Sequence, residues 1–235
     1  MKLALIGYGA MGQLIAAHAR AANDQIGETF TSKEAKLSAG EMAKRLRDHD
    51  VVVDFSNATA VLRNVEACAR AGVPVVEGTT GWMGSEPQVR TVIAENGGGL
   101  VYGANFSIGV NVFYRIVERA SELFASLDHY QAFIEEQHHL RKKDAPSGTA
   151  VQIQKLMQQR GKPPASVAST RAGEIPGTHR VGFDSVADQI TLTHMARSRE
   201  GFAAGAMLAA RWIAGRKGVY EFGEVINEIL GRDDV

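Results

Sequence analysis

Apolar and polar positions along the chain follow two different rhythms, and the change comes near Ser107. Before it, short apolar runs alternate with stretches of helical period. "KLALI" (Lys2 to Ile6) reads as a strand, "GYGAMG" as a turn and "QLIAAHARAA" as a helix. "QIGETF" is a second strand. "DVVVDFS" is a third, apolar through its middle as a strand covered on both faces is. "ATAVLRNVEACARAG" has a helical pattern closed by Gly72. "VPVVEG" and "GLVYGANFS" are further strands, with a helical "PQVRTVIAEN" between them. Strands alternating with helices predict a parallel sheet with right-handed crossovers.

After Ser107 a long helix, "GVNVFYRIVERASELFASL", leads into "HYQAFIEEQHH", which alternates like a strand. A helix opens at "SGTA". Strand-rich segments follow around "TRAGEI" and "HRVGFDSVADQITLTHMA", and the end is helical in "GFAAGAMLAARWIAG" and "EFGEVINEIL". This second part predicts a mixed, largely antiparallel sheet. "RGKPPAS" reads as a short loop and not as a linker between domains.

Composition narrows the functions. Of 235 residues, 45% are hydrophobic and 22% charged, an ordinary soluble balance. Twenty-six basic residues offset twenty-six acidic ones, so there is no global electrostatic case for nucleic acid or an anionic membrane. Any anion site must be local. The single cysteine, Cys68, excludes an internal disulfide and fits a reducing cytoplasm. No run approaches the roughly twenty apolar residues of a membrane span. Lys2, "LALIGYGAMG" and "AHA" loosely resemble a signal peptide, but fixed glycine spacing accounts better for the same residues.

Gly7, Gly9 and Gly12 form G-x-G-x-x-G directly after the first strand and at the start of a helix. That is the context of a dinucleotide-binding turn: a tight turn at Gly7, close backbone approach at Gly9, close helix packing at Gly12. With Ala10 and Met11 they place a helix N-terminus against a pyrophosphate. The second strand ends in Thr31, Ser32 and Lys33, hydroxyls and a cation where an NAD site usually has a carboxylate. These suit the 2′-phosphate of NADP; Glu28 or Glu34 would be the overlooked acid. "DFSN", "GTTG" and "ANFS" lie at later strand ends and line the same crevice, giving Phe55, Ser56, Gly78, Thr79, Thr80, Ala104, Asn105 and Phe106 as cofactor residues. The expected fold is α/β, a Rossmann-type parallel-sheet cofactor domain plus an α+β domain with a mixed sheet. The first covers 1–106 and is completed by C-terminal helices at about 210–235. The second covers 107–209.

"EEQHHLRKKDAPSGTA" gathers histidines, cations and a helix start. If "HYQAFIEEQHH" is a strand, Ile134, Glu136 and His138 share one face, and His139 lies opposite with Gln137. Adjacent histidines so divided do not chelate one metal, and no metal is expected. Ser147 is a helix N-cap after Pro146, leaving the N–H groups of Gly148 and Thr149 as a carboxylate cradle. Lys142 adds a full charge. On these residues alone a capped surface loop remains equally open.

The stretch resembles the E-x-H-H-x-x-K-x-D-A-P-S-G-T-A signature of the 4-hydroxy-tetrahydrodipicolinate (dihydrodipicolinate) reductase family of lysine synthesis. "VVVDFS", "GTTG", "NFSIGVN", "RAGEIPGTHRV" and "HMARSREGFAAGA" extend the likeness to nearly the whole chain. The resemblance implies His138 as catalytic acid and Lys142 as its partner. It puts His139, Gly148 and Thr149 on the substrate side. It implies NADPH, or NADH, as cofactor, a cyclic dicarboxylate imine as substrate and a homotetramer joined through substrate-domain sheets. Two departures stand out: Ala10 replaces an arginine common in the family's glycine loop, and the chain is shorter than many members. Two other readings of the same scaffold are another amino- or imino-acid dehydrogenase and a non-catalytic NADP sensor.

Overall fold

The computed structural model describes residues 1–231. The chain forms two compact units, one of Met1–Ile108 with the chain from Glu200 onward, the other of Gly109–Arg199.

The first unit is built on six parallel strands: β1 (Lys2–Ile6), β2 (Gln25–Phe30), β3 (Val51–Asp54), β4 (Val75–Glu77), β5 (Gly99–Tyr102) and, late in the chain, β10 (Gly218–Glu221). Their order is β10-β5-β4-β3-β1-β2. Strand alternation divides the apolar side chains between two layers. Leu3, Leu5, Val51 and Val53 pack against α1 (Ala10–Ala21), α7 (Glu200–Ile213) and α8 (Phe222–Ile229). Ala4, Ile6, Val52 and Leu100 pack against α2 (Ala39–Leu46), α3 (Val61–Ala71) and α4 (Glu86–Asn96). The chain goes from β1 outward to β2, then returns to β3 on the other side of β1. Strand order reverses there, and ligands of such sheets bind beyond the carboxyl ends of the strands at that reversal.

The second unit has a four-stranded sheet in the order β7 (Ser166–Arg171), β6 (Gln131–His138), β8 (Thr178–Asp184), β9 (Gln189–Met195). β6 and β7 are parallel and the other pairs antiparallel, so the sheet is mixed. α5 (Ile108–Phe124) and α6 (Gly148–Gln159) cover one face, burying Phe113, Val117, Ile134, Ile153, Met157, Val181 and Phe183 together. On the other face Gln137, Thr170, Thr191, Thr193 and Met195 are exposed.

Several elements differ from the sequence expectation. The strand expected over "HYQAFIEEQHH" is shorter. A turn from Leu127 to Tyr130 holds its start, and the Lys142 N–H bonded back to the His139 carbonyl turns the chain beyond its end. The strand expected at "TRAGEI" ends at Arg171, with Ala172–Ile175 in a turn. α2 and β10 were not anticipated. The chain rejoins the first unit at Glu200 and not near residue 210, because Ala203, Ala206, Ala209 and Ala210 of α7 are buried in that unit's core. Residues 232–235 of the expected C-terminal return lie outside the described residues.

Candidate active site

The glycine loop has the shape its spacing implies. Gly7 is in the left-handed region at φ +86°, and a Cβ there would stand 2.3 Å from the Phe55 carbonyl oxygen. A Cβ at Gly12 would stand 2.2 Å from the Gly7 carbonyl oxygen. Gly9 is the N-cap of α1, with no side-chain cap and no acid in the first turn, where Ala10, Met11 and Gly12 follow. A helix start left without a side-chain cap is what a pyrophosphate requires.

The neighbouring loops lock to one another. The Ser56 N–H donates to Thr79 Oγ1 at 3.0 Å, and the Gly78 N–H to the Asp54 carbonyl at 2.9 Å. Thr80 and Ala104 are exposed, and Asn105 Oδ1 accepts the Ser107 N–H. Phe106 is buried against Phe55 and Phe222, so its ring serves packing. Thr31, Ser32 and Lys33 at the end of β2 carry no carboxylate of their own, and of the two alternative acids the structure brings Glu34 there: it accepts the Thr31 N–H at 2.8 Å and the Thr31 hydroxyl at 2.9 Å. Those bonds hold Glu34 below the usual carboxylate range, so it is ionised. Ser32 and Lys33 are exposed beside it.

In the second unit Ile134, Glu136 and His138 are buried along one face of β6. His138 bonds through Nδ1 to Glu136. Arg171, from the end of β7, grips the same carboxylate with two N–H groups at 2.9 and 2.6 Å, and the Ser147 N–H adds a third donor at 3.2 Å. Burial alone would raise Glu136, but Arg171, Ser169 and His138 hold it down to about 2. Burial pulls His138 below the ordinary histidine value; Lys142 and Arg171 act the same way, against the pull of Glu136. His138 Nε2 faces Gly177, where a Cβ would stand 3.0 Å away. His179 lies edge-on to His138, 5.1 Å between rings, with Nε2 2.9 Å from Ser147 Oγ. Burial, with His138 beside it, lowers His179 to about 4.

Ser147 caps α6 as expected, accepting the Ala150 N–H at 3.2 Å. The Gly148 N–H, however, is not free. It donates to Asp144 Oδ2 at 3.3 Å, while Asp144 Oδ1 sits 2.8 Å from Lys142 Nζ. A carboxylate of the chain itself thus spans the cation and the cradle. Thr149 bonds to the Tyr114 hydroxyl. His139 lies beyond the end of β6, its Nδ1 buried without a partner.

Residues 1–106 match the family model "Dihydrodipicolinate reductase, N-terminus", and 109–226 match "Dihydrodipicolinate reductase, C-terminus". The chain belongs to the dihydrodipicolinate reductase family. A 4-hydroxy-tetrahydrodipicolinate reductase of Christiangramia forsetii is 34% identical over 98% of this chain and 99% of its own. One from Archaeoglobus fulgidus is 35% identical over 91% of this chain and 94% of its own. In fold, the chain resembles a dipicolinate-bound dihydrodipicolinate reductase from Paenisporosarcina sp. TG-14, with TM-score 0.78, 21% identity and coverage of 96% and 99%. An amine dehydrogenase from Mycobacterium smegmatis shares the fold more distantly, with TM-score 0.64 and 10% identity over 95% of each chain.

Within the family framework, three residues were missed by sequence reasoning: buried Glu136 as a partner of His138, half-buried Arg171 and buried His179. The alternation of β6 already placed Glu136 beside His138. Nothing local announced Arg171 or His179, which arrive through strand pairing. Glu136, His138 and His179 together could surround a cation. Arg171 engages both Glu136 oxygens and Ser147 engages His179 Nε2, and the guanidinium would oppose an added positive charge.

Proposed function

We propose that this chain catalyses the NAD(P)H-dependent reduction of 4-hydroxy-tetrahydrodipicolinate, by way of dihydrodipicolinate, to tetrahydrodipicolinate in the diaminopimelate route to lysine. The observation that carries the reading is the Glu136–His138–Arg171 cluster, close in sequence to Lys142 and the Ser147–Thr149 helix start, in a chain matched by both family models.

The bound nicotinamide supplies a hydride from C4. Gly7, Gly9, Ala10, Met11 and Gly12 receive the pyrophosphate, and Phe55, Ser56, Gly78, Thr79, Thr80, Ala104, Asn105 and the backbone of Phe106 border the rest of the cofactor. Ser32 and Lys33 favour NADPH. Glu34, ionised and bound to Thr31, weakens the discrimination, so NADH is used as well. In the second unit, Lys142 and the N–H groups of Gly148 and Thr149 take a substrate carboxylate, which displaces Asp144. His139 contributes on the substrate side. The Paenisporosarcina relative, described as dipicolinate-bound, supports a ring dicarboxylate as ligand.

Loss of water, made of the 4-hydroxyl and a hydrogen of the neighbouring ring carbon, leaves a conjugated imine. Hydride addition to the ring leaves an enamine-like carbon that needs one proton. His138, whose burial favours the neutral form, first takes up a proton and then, as the imidazolium, gives it from Nε2, a step worth roughly 10²- to 10⁴-fold. Glu136 accepts the Nδ1–H and so fixes which nitrogen faces the reaction. Arg171 keeps Glu136 ionised through the cycle. The exposed sheet face around Thr191, Thr193 and Met195 suits assembly as a homotetramer, and the lone buried Cys68 suits the cytoplasm. Among the described residues no helix is long and apolar enough to cross a membrane.

The test is NADPH oxidation followed by absorbance with freshly generated 4-hydroxy-tetrahydrodipicolinate. Rapid turnover there, and none with open-chain amino or imino acids, is expected. Binding of NADPH without turnover would favour a sensor. Turnover of another imine alone would point to a different dehydrogenase.

A further inference from the structure

Two carboxyl groups buried in the first unit have no place in the chemistry above. Asp54 ends β3 and Glu77 ends β4. The two are direct register partners on adjacent parallel strands, and both are 0% exposed. The chain leaves each of them straight into a cofactor loop, Phe55–Ser56 and Gly78–Thr80.

Two of their four oxygens have hydrogen-bond donors. Asp54 Oδ2 accepts the Asn64 side-chain N–H at 2.7 Å, and Glu77 Oε1 accepts the Thr79 N–H at 2.7 Å. Asp54 Oδ1 and Glu77 Oε2 remain, buried and without a donor. Two ionised carboxylates facing each other in an apolar interior repel strongly, and each unsatisfied oxygen carries its own desolvation cost. One proton between the two oxygens removes both problems, giving a charge-assisted O–H···O⁻ bond.

The surroundings supply no alternative. Cys68 of α3 lies beside the pair, its thiol pushed well up by burial and by the two carboxyls, and so neutral. Asn64 of α3 is neutral, and Arg63 bonds its far end, Oδ1, at 2.9 Å. Ser56, which also bonds to Asp54, and Thr79, which bonds to Glu77, are neutral and offset no charge. Burial raises both carboxyls, Glu77 well above its ordinary value.

We propose that Glu77 is a positioning residue, which shares one proton with Asp54 and thereby holds the Phe55–Ser56 and Gly78–Thr80 loops at the spacing that receives the nicotinamide cofactor. The linkage is short. Glu77 fixes the Thr79 N–H, Thr79 Oγ1 takes the Ser56 N–H, and Asn64 ties Asp54 to Ser56 Oγ at 3.2 Å. Loss of the proton at alkaline pH sets two charges against each other at the base of both loops, so cofactor affinity falls as pH rises. The proposal rests on the cofactor reading above.

Glu77→Gln separates the proton from the shape. The amide oxygen still accepts the Thr79 N–H, and the amide nitrogen donates permanently to Asp54 Oδ1. NADPH and NADH affinities, read by cofactor fluorescence from neutral to alkaline pH, should fall in the wild type by about tenfold or more relative to the variant. Infrared spectra of the wild-type chain at neutral pH should show a buried protonated carboxyl C=O band that Glu77→Gln lacks. Parallel pH curves for the two proteins, or no such band in the wild type, would overturn the proposal. Failure of the wild type to bind either cofactor would overturn the underlying cofactor reading instead, whatever the band shows.

Discussion

At the scale of single residues, the site turns on which atoms are left available. His138 has one nitrogen on Glu136 and the other toward Gly177. Gly177 has φ +143°, a conformation that other residues rarely adopt, and a Cβ there would press on Nε2. Gly177→Ala should therefore lower turnover by about tenfold to a hundredfold through a misplaced acid, with NADPH affinity unchanged. Steady-state rates beside separate cofactor titrations check this. Asp144 is the complementary case. Its ion pair with Lys142 is partly exposed and worth roughly 0–1 kcal/mol. Asp144→Asn, by releasing Lys142, should tighten a ring dicarboxylate such as dipicolinate by up to about fivefold; weaker binding in calorimetry would mean that Asp144 orients the lysine. The face shared by Glu136 and His138 was legible from period-two alternation. The occupation of the cradle by Asp144 was not, because spacing gives neighbours but not which of two acceptors an N–H selects.

At the scale of elements, strands with strong alternation or continuous apolar runs were legible, and short ones were not. β10 has four residues, too few for a pattern. α2 had a readable signal that went unused: Ser38 and Glu41 form a capping box, each closing on the other's backbone N–H. The turn after β2 carries a second such box, Thr31 with Glu34, and it changes the cofactor argument. If Lys33 meets a 2′-phosphate, Lys33→Ala should weaken NADPH by roughly 1.5–3 kcal/mol and leave NADH nearly unchanged. Equal losses would transfer that role elsewhere. The pairing of β6, β7 and β8 also builds a proton-linked stability. His179 is held at about 4 against an ordinary 6.5, so the unfolded chain takes up its proton first as pH falls. Stability should drop between about pH 6.5 and 4 and lose nothing further through this group below that. Glu136, held at about 2 against 4.5, extends the loss from about pH 4.5 toward 2. Urea unfolding across pH should show both steps. His179→Gln should flatten the upper one and spare the lower.

At the scale of the whole molecule, the change of rhythm near Ser107 marked a real change of architecture, because helix–strand alternation and a mixed sheet obey different periods. The point of return could not be read the same way, since an alanine-rich helix such as α7 suits any close-packed interface. The proposed homotetramer, joined through the exposed sheet face, predicts a tetramer in sedimentation runs, and Met195→Glu should shift it toward smaller species; a wild type monomeric at high concentration would remove that assignment. The central claim is that His138 is the acid of an NAD(P)H-dependent imine reduction, and one comparison tests it most directly. NADPH oxidation with fresh 4-hydroxy-tetrahydrodipicolinate is measured for the wild type, His138→Ala and His139→Ala, with NADPH affinity determined alongside. The account predicts fast turnover in the wild type, a loss of roughly two orders of magnitude or more in His138→Ala at unchanged NADPH affinity, and a milder loss in His139→Ala. A normal rate in His138→Ala beside a crippled His139→Ala would contradict it.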